Sequence, residues 1–182
     1  LKKMKLLHIS HDDKFIDSII NDFKFNDVIN EYVIYVPKLD YKLKYVKSDK
    51  VKIVQQSNIE LEVKVKEYDA IFIHFLTQTI AEKLILKNPN KIYLMVFWGS
   101  EIFNLSPFIK SIYQPLTKEI LSSHKEIKKF KFSLRPKKLV REYNKYFSYE
   151  IHCKKLKKSL RKINFFCHWN SFDYELFKTK IA

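Results

Sequence analysis

Apolar runs of strand length recur along the chain, at residues 5–10, 31–36, 70–76, 91–98 and 165–169. Continuous runs of this kind are typical of strands that are covered on both faces of a parallel sheet. Between the first two runs, apolar residues at helical spacing predict a helix from Phe15 to Phe23, with cap residues at 11–13 and an end at Asn26–Asp27. The chain therefore opens as strand, helix, strand, which favours a parallel sheet.

The same rhythm repeats in the rest of the chain. Thr77 is placed to cap a helix that carries Ile80, Leu84 and Ile85 and stops before Pro89. After the run at 91–98 the pattern predicts a loop or broken helix over 102–115, helices over 116–131 and 137–162, and a last helix after Asn170 or Ser171.

Residues 38–67 give a weaker pattern. Val51–Val54 fits a short strand, and Leu43–Val46 fits a turn of helix. Leu61–Lys66 alternates strictly and fits either an edge strand or the start of a helix. Since no repeat, linker or composition boundary interrupts residues 1–182, we expect a single α/β domain with a Rossmann-like parallel sheet and helices on both faces.

The charge narrows the range of partners without selecting one. The net charge is +15, from 35 Lys and Arg against 20 Asp and Glu. Such a balance suits nucleic acid, an anionic membrane surface or a phosphorylated substrate. Only Arg135, Arg141 and Arg161 are arginines, whereas dedicated phosphate sites favour the planar arginine fork. Abundant Lys, Ile, Asn, Phe and Tyr is also typical of an AT-rich genome, so a solvated lysine-rich surface is the competing interpretation.

Composition excludes several classes of site. The single glycine, Gly99, cannot build a Rossmann dinucleotide fingerprint, a Walker phosphate loop or a GxSxG nucleophile elbow. Cys153 and Cys167 lack CxxC spacing, and no set of His, Asp and Glu has local ligand spacing, so no metal or other cofactor is expected. Few cysteines and no apolar stretch of membrane-spanning length indicate a reduced, cytoplasmic setting.

Polar residues follow the predicted strands at several ends. Gly99 follows a buried strand, with Trp98 before it and Ser100 and Glu101 after it. His11 and Asp12 follow the first strand, and His74 lies in the 70–76 run. Because parallel strands bring their carboxyl ends to one edge, we expect these groups to line one cleft, where a histidine or carboxylate can act as a general base. The competing interpretation is a turn glycine and ordinary core histidines.

Several of these segments resemble one known family. They are Leu7–Asp17, Asp69–Phe75, Val96–Phe103, Phe166–Asn170 and Asp173–Leu176. Together they resemble the bacterial N-acetylfucosaminyltransferases of glycosyltransferase family 56. The chain has Trp98-Gly99-Ser100-Glu101 where the family more often has Trp-Gly-Gly/Ala-Asp, so the acid of this chain reaches further by one methylene.

The resemblance implies an enzyme that moves a 4-acetamido-4,6-dideoxygalactose-type sugar from a TDP-sugar to a lipid-linked glycan, such as lipid II, in cell-envelope polysaccharide synthesis. It implies the N-terminal, acceptor-side half of a metal-independent GT-B glycosyltransferase. The nucleotide-sugar would bind mainly to a C-terminal domain, so this chain alone would be inactive. The enzyme would be peripheral on the inner face of the cell membrane, attracted by anionic lipid.

With the resemblance, we expect specific roles for the residues at the strand ends. His74 and Glu101 become the candidate catalytic bases for the acceptor hydroxyl. The residues expected to bind substrate are His11, Asp12, Trp98, Gly99 and Ser100. The alternative function is a basic Rossmann-like module that binds nucleic acid or a protein partner without catalysis.

Overall fold

The computed structural model describes residues 3–96, 151–167 and 175, and these form a six-stranded parallel sheet. The strands are β1 (Met4–Ser10), β2 (Val28–Val36), β3 (Val51–Gln55), β4 (Ala70–Ile73), β5 (Ile92–Val96) and β6 (Phe165–Cys167). Their order in the sheet is β3-β2-β1-β4-β5-β6, and every neighbouring pair is parallel. The expected α/β class and Rossmann-like parallel sheet are confirmed.

Helices lie on both faces of this sheet. They are α1 (Ile16–Asp22), α2 (Ile59–Glu62), α3 (Gln78–Ile80, continued by a π-helical turn over Ala81–Ile85) and α4 (residues 151–160). Short 3-10 turns cover Gln56–Asn58 and Val65–Glu67. Among these, α1 packs on one face of the sheet, and the other three contribute to the core of the opposite face.

Alternate residues of each strand build the two faces. The face under α2, α3 and α4 presents Leu7, Ile71 and Tyr93 in one row, all fully buried. The face under α1 presents His8 and Phe72 in the adjacent row, together with Tyr32 of β2. A strand that is buried on both sides has no polar side, which explains why its sequence reads as a continuous apolar run.

Several predicted elements differ in detail from the structure. Leu43–Val46 forms no helix; it is irregular, and Val46 packs into the core beside α1. Leu61–Lys66 is not a strand, because Ile59 and Val63 are buried four residues apart by the short helix α2. Helix α1 begins at Ile16 and ends at Asp22, earlier than Asn26–Asp27, and no side chain caps it directly. A turn precedes it, in which Asp13 Oδ1 accepts from Phe15 N at 3.0 Å.

Other predicted elements agree with the structure. Thr77 Oγ1 accepts a hydrogen bond from Ile80 N at 3.4 Å, as expected of an N-cap. The predicted strand at Val51–Val54 is β3, and the strand runs at 91–98 and 165–169 contain β5 and β6. Of the long basic helix, α4 is the described part. The predicted elements over 102–131 lie outside the described residues, and of the predicted last helix only Glu175 is described, as helical.

Candidate functional site

The strand order creates a crevice between β1 and β4. Strands β2 and β3 lie on one side of β1 in the sheet, and β4, β5 and β6 lie on its other side. In open α/β sheets, ligands bind at this change of direction, outside the carboxyl ends of the two strands. His11 is the first residue after β1, and His74 is the first residue after β4. The two histidines expected at one edge are therefore both at the switch point.

His11 is a partly exposed side chain beside a carboxylate. Its Nε2 lies 3.6 Å from Asp13 Oδ2, and the other oxygen of Asp13 is held by Phe15 N. The His11 ring meets the edge of the Phe75 ring with 4.6 Å between centroids. Among the described residues, His11 Nδ1 has no hydrogen-bond partner. The pair thus places an oriented carboxylate and a partly exposed imidazole together at the carboxyl end of β1.

Asp12 faces away from this pair and anchors the segment between β2 and β3. Its carboxylate accepts backbone hydrogen bonds from Lys44 at 2.6 Å, Tyr45 at 3.0 Å and Val46 at 3.0 Å. The Tyr41 hydroxyl donates to it at 3.3 Å. Burial opposes ionisation of Asp12, but these four donors outweigh it and hold the pKa of the carboxyl below its usual value. In the structure Asp12 is a positioning residue for a neighbouring loop.

His74 belongs to a buried chain of hydrogen bonds that the sequence did not reveal. His74 Nε2 lies 3.0 Å from His8 Nδ1, and His8 Nε2 lies 3.0 Å from Asn30 Oδ1. Asn30 Nδ2 in turn donates to the carbonyl oxygen of Phe23 at 2.6 Å. His8 and His74 are 1% and 3% exposed, so water does not compete for these bonds. The backbone N–H of His74 donates to Ile9 at 2.9 Å, which extends the ladder to this residue.

The hydrogen bond at the Asn30 end of this network determines which nitrogen of each histidine carries the proton. Because the Asn30 amide donates to a carbonyl, its own oxygen is the acceptor for His8 Nε2–H. A neutral imidazole carries one N–H, so His8 Nδ1 accepts and His74 Nε2 donates. The network therefore assigns the Nε2–H tautomer to both rings, and Nδ1 of His74 carries a lone pair.

Both buried histidines are neutral at physiological pH. Burial lowers the pKa of His74 to about 3, with a smaller contribution from the charge of His8. Burial also lowers the pKa of His8 to about 4, which the Asn30 hydrogen bond partly offsets. Aromatic rings surround the pair. His8 stacks between Tyr32 and Phe72 at centroid distances of 4.6 and 5.4 Å, and His74 stacks on Phe72 at 5.0 Å.

The structure therefore brings together part of the predicted site. His11 and His74 share the carboxyl edge, joined through Phe75, whereas the Asp12 carboxylate points to the loop of residues 41–46. Trp98, Gly99, Ser100 and Glu101 lie outside the described residues. Sequence reasoning missed the roles of His8 and Asn30. A clue was available, since His8 lies inside an otherwise apolar strand, where an imidazole needs buried partners.

A second polar cluster lies at the opposite, amino edge of the sheet. Glu31 accepts from Lys5 Nζ at 2.8 Å and from the Tyr68 hydroxyl at 2.7 Å, and Lys5 Nζ lies 4.7 Å from the centre of the Tyr68 ring. Burial, and then the bond to Glu31, raise the pKa of Tyr68 well above its usual value. Beside it is a cavity of about 350 Å³ with lysines and glutamates in its lining. The glutamates in this lining are paired with lysines of the protein (Glu31 with Lys5, Glu62 with Lys52 and Glu67 with Lys64), so the cavity resembles a structural cluster more than a ligand site.

The described part of the chain contains no group of three or more His, Cys, Asp or Glu that could hold a metal ion. Within the same residues, no helix is both long enough and apolar enough to cross a membrane. No protein-family model, curated protein or solved structure matches this chain.

Proposed function

We propose that this chain is the acceptor-side domain of a GT-B glycosyltransferase that acts on lipid-linked glycans of the cell envelope. The observation that carries the proposal is the position of His11 and His74 directly after β1 and β4, at the switch point of a 3-2-1-4-5-6 parallel sheet. It is supported by the sequence resemblance to family 56, whose motifs fall on β1, β4, β5 and β6. The donor would be a TDP-sugar of the 4-acetamido-4,6-dideoxygalactose type, bound mainly by a second domain.

Within this proposal the buried and the exposed groups take different roles. A general base is most effective when its pKa lies near the working pH. The pKa of about 3 makes His74 a weak base, and its side chain is only 3% exposed, so its role in this proposal is to hold the carboxyl end of β4 in place through its bond to His8. Between the two candidate bases, His74 and Glu101, this favours Glu101 for proton removal. His11 would contact the acceptor, and Trp98, Gly99 and Ser100 would shape the cleft.

The test is transfer of labelled sugar from the TDP-donor to a lipid-linked acceptor by the protein that contains this chain. Removal of a general base typically costs about 10² to 10⁴ in rate, so Glu101→Gln should lose that much. His74→Ala should lose activity by a smaller factor. The matched controls are Glu67→Gln at the amino edge and His152→Ala on α4, which should keep full activity.

The possible results separate the two function classes. Near wild-type transfer by both Glu101→Gln and His74→Ala would overturn the assigned roles. Absence of any transfer, together with binding to DNA or RNA that weakens steeply with salt, would replace the enzyme with the alternative of a basic binding module.

A further inference from the structure

The connection between β2 and β3 is unusual because it joins two parallel strands without a helix. Residues 37–50 leave the carboxyl end of β2, where the switch-point edge lies, and return along the α1 face to start β3. Two carboxylates hold the chain there. Asp12 accepts from the backbone of residues 44–46, and Asp17 of α1 accepts from Lys47 N at 3.0 Å and Ser48 N at 3.2 Å. The segment is therefore fixed in shape.

Its side chains divide into an inner and an outer set. Val46 is buried in the core under α1, and Leu43 packs against that core. The outer set is apolar and aromatic: Leu39 is 63% exposed, Tyr41 40% and Tyr45 45%. Isolated exposed apolar residues are ordinary, but three within seven residues of one anchored segment form a patch.

Lysines alternate with these apolar residues. Lys38, Lys42, Lys44 and Lys47 are all exposed, against one acid, Asp40, in the same stretch. Lys44 Nζ lies 5.0 Å from the centre of the Tyr45 ring. On the neighbouring loop, Lys14 Nζ lies 4.9 Å from the centre of the exposed Phe15 ring. Amphipathic rings surrounded by lysines are the combination that binds at the interface of an anionic bilayer, where the rings sit at headgroup level and the ammonium groups meet phosphates.

We propose that residues 38–47 are the surface through which this protein docks on anionic phospholipid bilayers. The proposal rests on the proposed function, since docking here would present the β1–β4 edge to a lipid-linked acceptor. A bilayer is favoured over nucleic acid for two reasons. The positive charges of the segment are lysines without arginine, and the exposed Leu39 has no aromatic ring with which to stack on a base. Asp12 and Asp17 then act as positioning residues that preorganise the docking surface.

The experiment is co-sedimentation of the full chain with vesicles of phosphatidylcholine alone and of equal parts phosphatidylcholine and phosphatidylglycerol. Binding should require the anionic lipid. Each lysine near such a surface contributes about 1 kcal/mol, roughly fivefold in affinity, so Lys42→Glu with Lys44→Glu should weaken binding by about 30-fold or more. Leu39→Ser with Tyr45→Ser leaves the Tyr41 bond to Asp12 intact. This double variant should bind the anionic vesicles about tenfold more weakly.

Control variants away from this segment make the same change in net charge or remove an exposed apolar side chain. Lys64→Glu with Lys66→Glu changes the total charge equally, at a distant site, and Leu61→Ser removes a side chain that is 82% exposed on α2. Both should bind vesicles like the wild type. Equal weakening by the Lys64/Lys66 pair would overturn the proposal in favour of diffuse attraction by the +15 charge. Tight binding to single-stranded RNA without binding to vesicles would overturn it in favour of nucleic acid.

The transferase assay measures sugar transfer, which can be separated from vesicle binding. With a water-soluble acceptor analogue, the Lys42/Lys44 variant should keep its transfer rate while losing vesicle binding. If vesicle binding follows the predicted pattern and no transfer occurs, docking stands and the proposed enzyme fails. If transfer occurs and the segment variants bind vesicles normally, the enzyme stands and the docking surface is overturned.

Discussion

The two faces of the sheet are built from the same strands but differ in chemistry. Under α2, α3 and α4 the core is mainly apolar, and the buried hydroxyl of Tyr93 donates to Leu84 O and Asn88 O at 3.1 Å. Under α1, the same strands bury His8, Ser10 and His74. One face carries stability through packing, and the other places neutral imidazoles against the switch point. Among the described residues, the two buried histidines of the sheet thus lie in one layer, where a hydrogen-bonded network connects them to Asn30.

The largest effect should come from the apolar face. Ile71 is fully buried at the centre of β4, so Ile71→Ala removes its packing and leaves a cavity. Such changes cost about 2 to 5 kcal/mol in the free energy of unfolding. Urea denaturation at pH 7 and at pH 5 should show the same loss at both values, because the described core cluster that contains Ile71 has no Asp, Glu or His in it. A loss that depends on pH would contradict the division between the faces.

The polar face should make the whole protein sensitive to acid. The folded-state pKa values of His8 and His74, about 4 and about 3, lie below the unfolded value of 6.5, so the unfolded state binds protons first. Their contribution is full above pH 6.5 and is lost as the pH falls toward 4. With 1.36 kcal/mol per pKa unit and two groups, we expect a loss of about 2 to 4 kcal/mol between pH 7 and pH 5. A variant with both His8→Leu and His74→Leu should lose this slope; if the slope remains, other groups cause it.

The hydrogen bond between the two histidines can be separated from their burial. His74→Leu alone leaves His8 Nδ1 buried without its donor, which costs about 1 to 3 kcal/mol at pH 7. Adding His8→Leu removes that unmade bond, so the double variant should be more stable than the sum of the single changes predicts. Additive losses in a double-mutant cycle would show that the two rings do not interact.

The smallest effect should appear at the loop that Asp12 anchors. Asp12→Ala removes the acceptor for three backbone N–H groups that lie near the surface, where water can replace it, so the global cost should be about 1 kcal/mol. The local effect should be larger. Amide hydrogen exchange of Lys44, Tyr45 and Val46 should speed up at least tenfold, whereas Lys47 and Ser48, held by Asp17, should change less. Unchanged exchange at 44–46 would contradict the anchoring role.

The elements were easier to predict than the site. Continuous apolar runs located β1, β2, β4, β5 and β6, and Thr77 marked the start of α3, because strand burial and helix capping leave local patterns in the sequence. Leu43–Val46 was mistaken for helix because Leu43 and Val46 are spaced as on one helical face. Their burial comes instead from tertiary contacts held by Asp12.

The sequence by itself determined that this chain forms parallel strands with polar residues at their carboxyl ends. That much follows from the continuous apolar runs and from the order strand, helix, strand. Only the tertiary structure decided that β4 inserts beside β1, which brings His8 and His74, 66 residues apart, within 3.0 Å of each other. It also decided that Asp12 turns toward the 41–46 loop. The physical reason is that strand order and register arise from packing between distant segments, which no local pattern encodes.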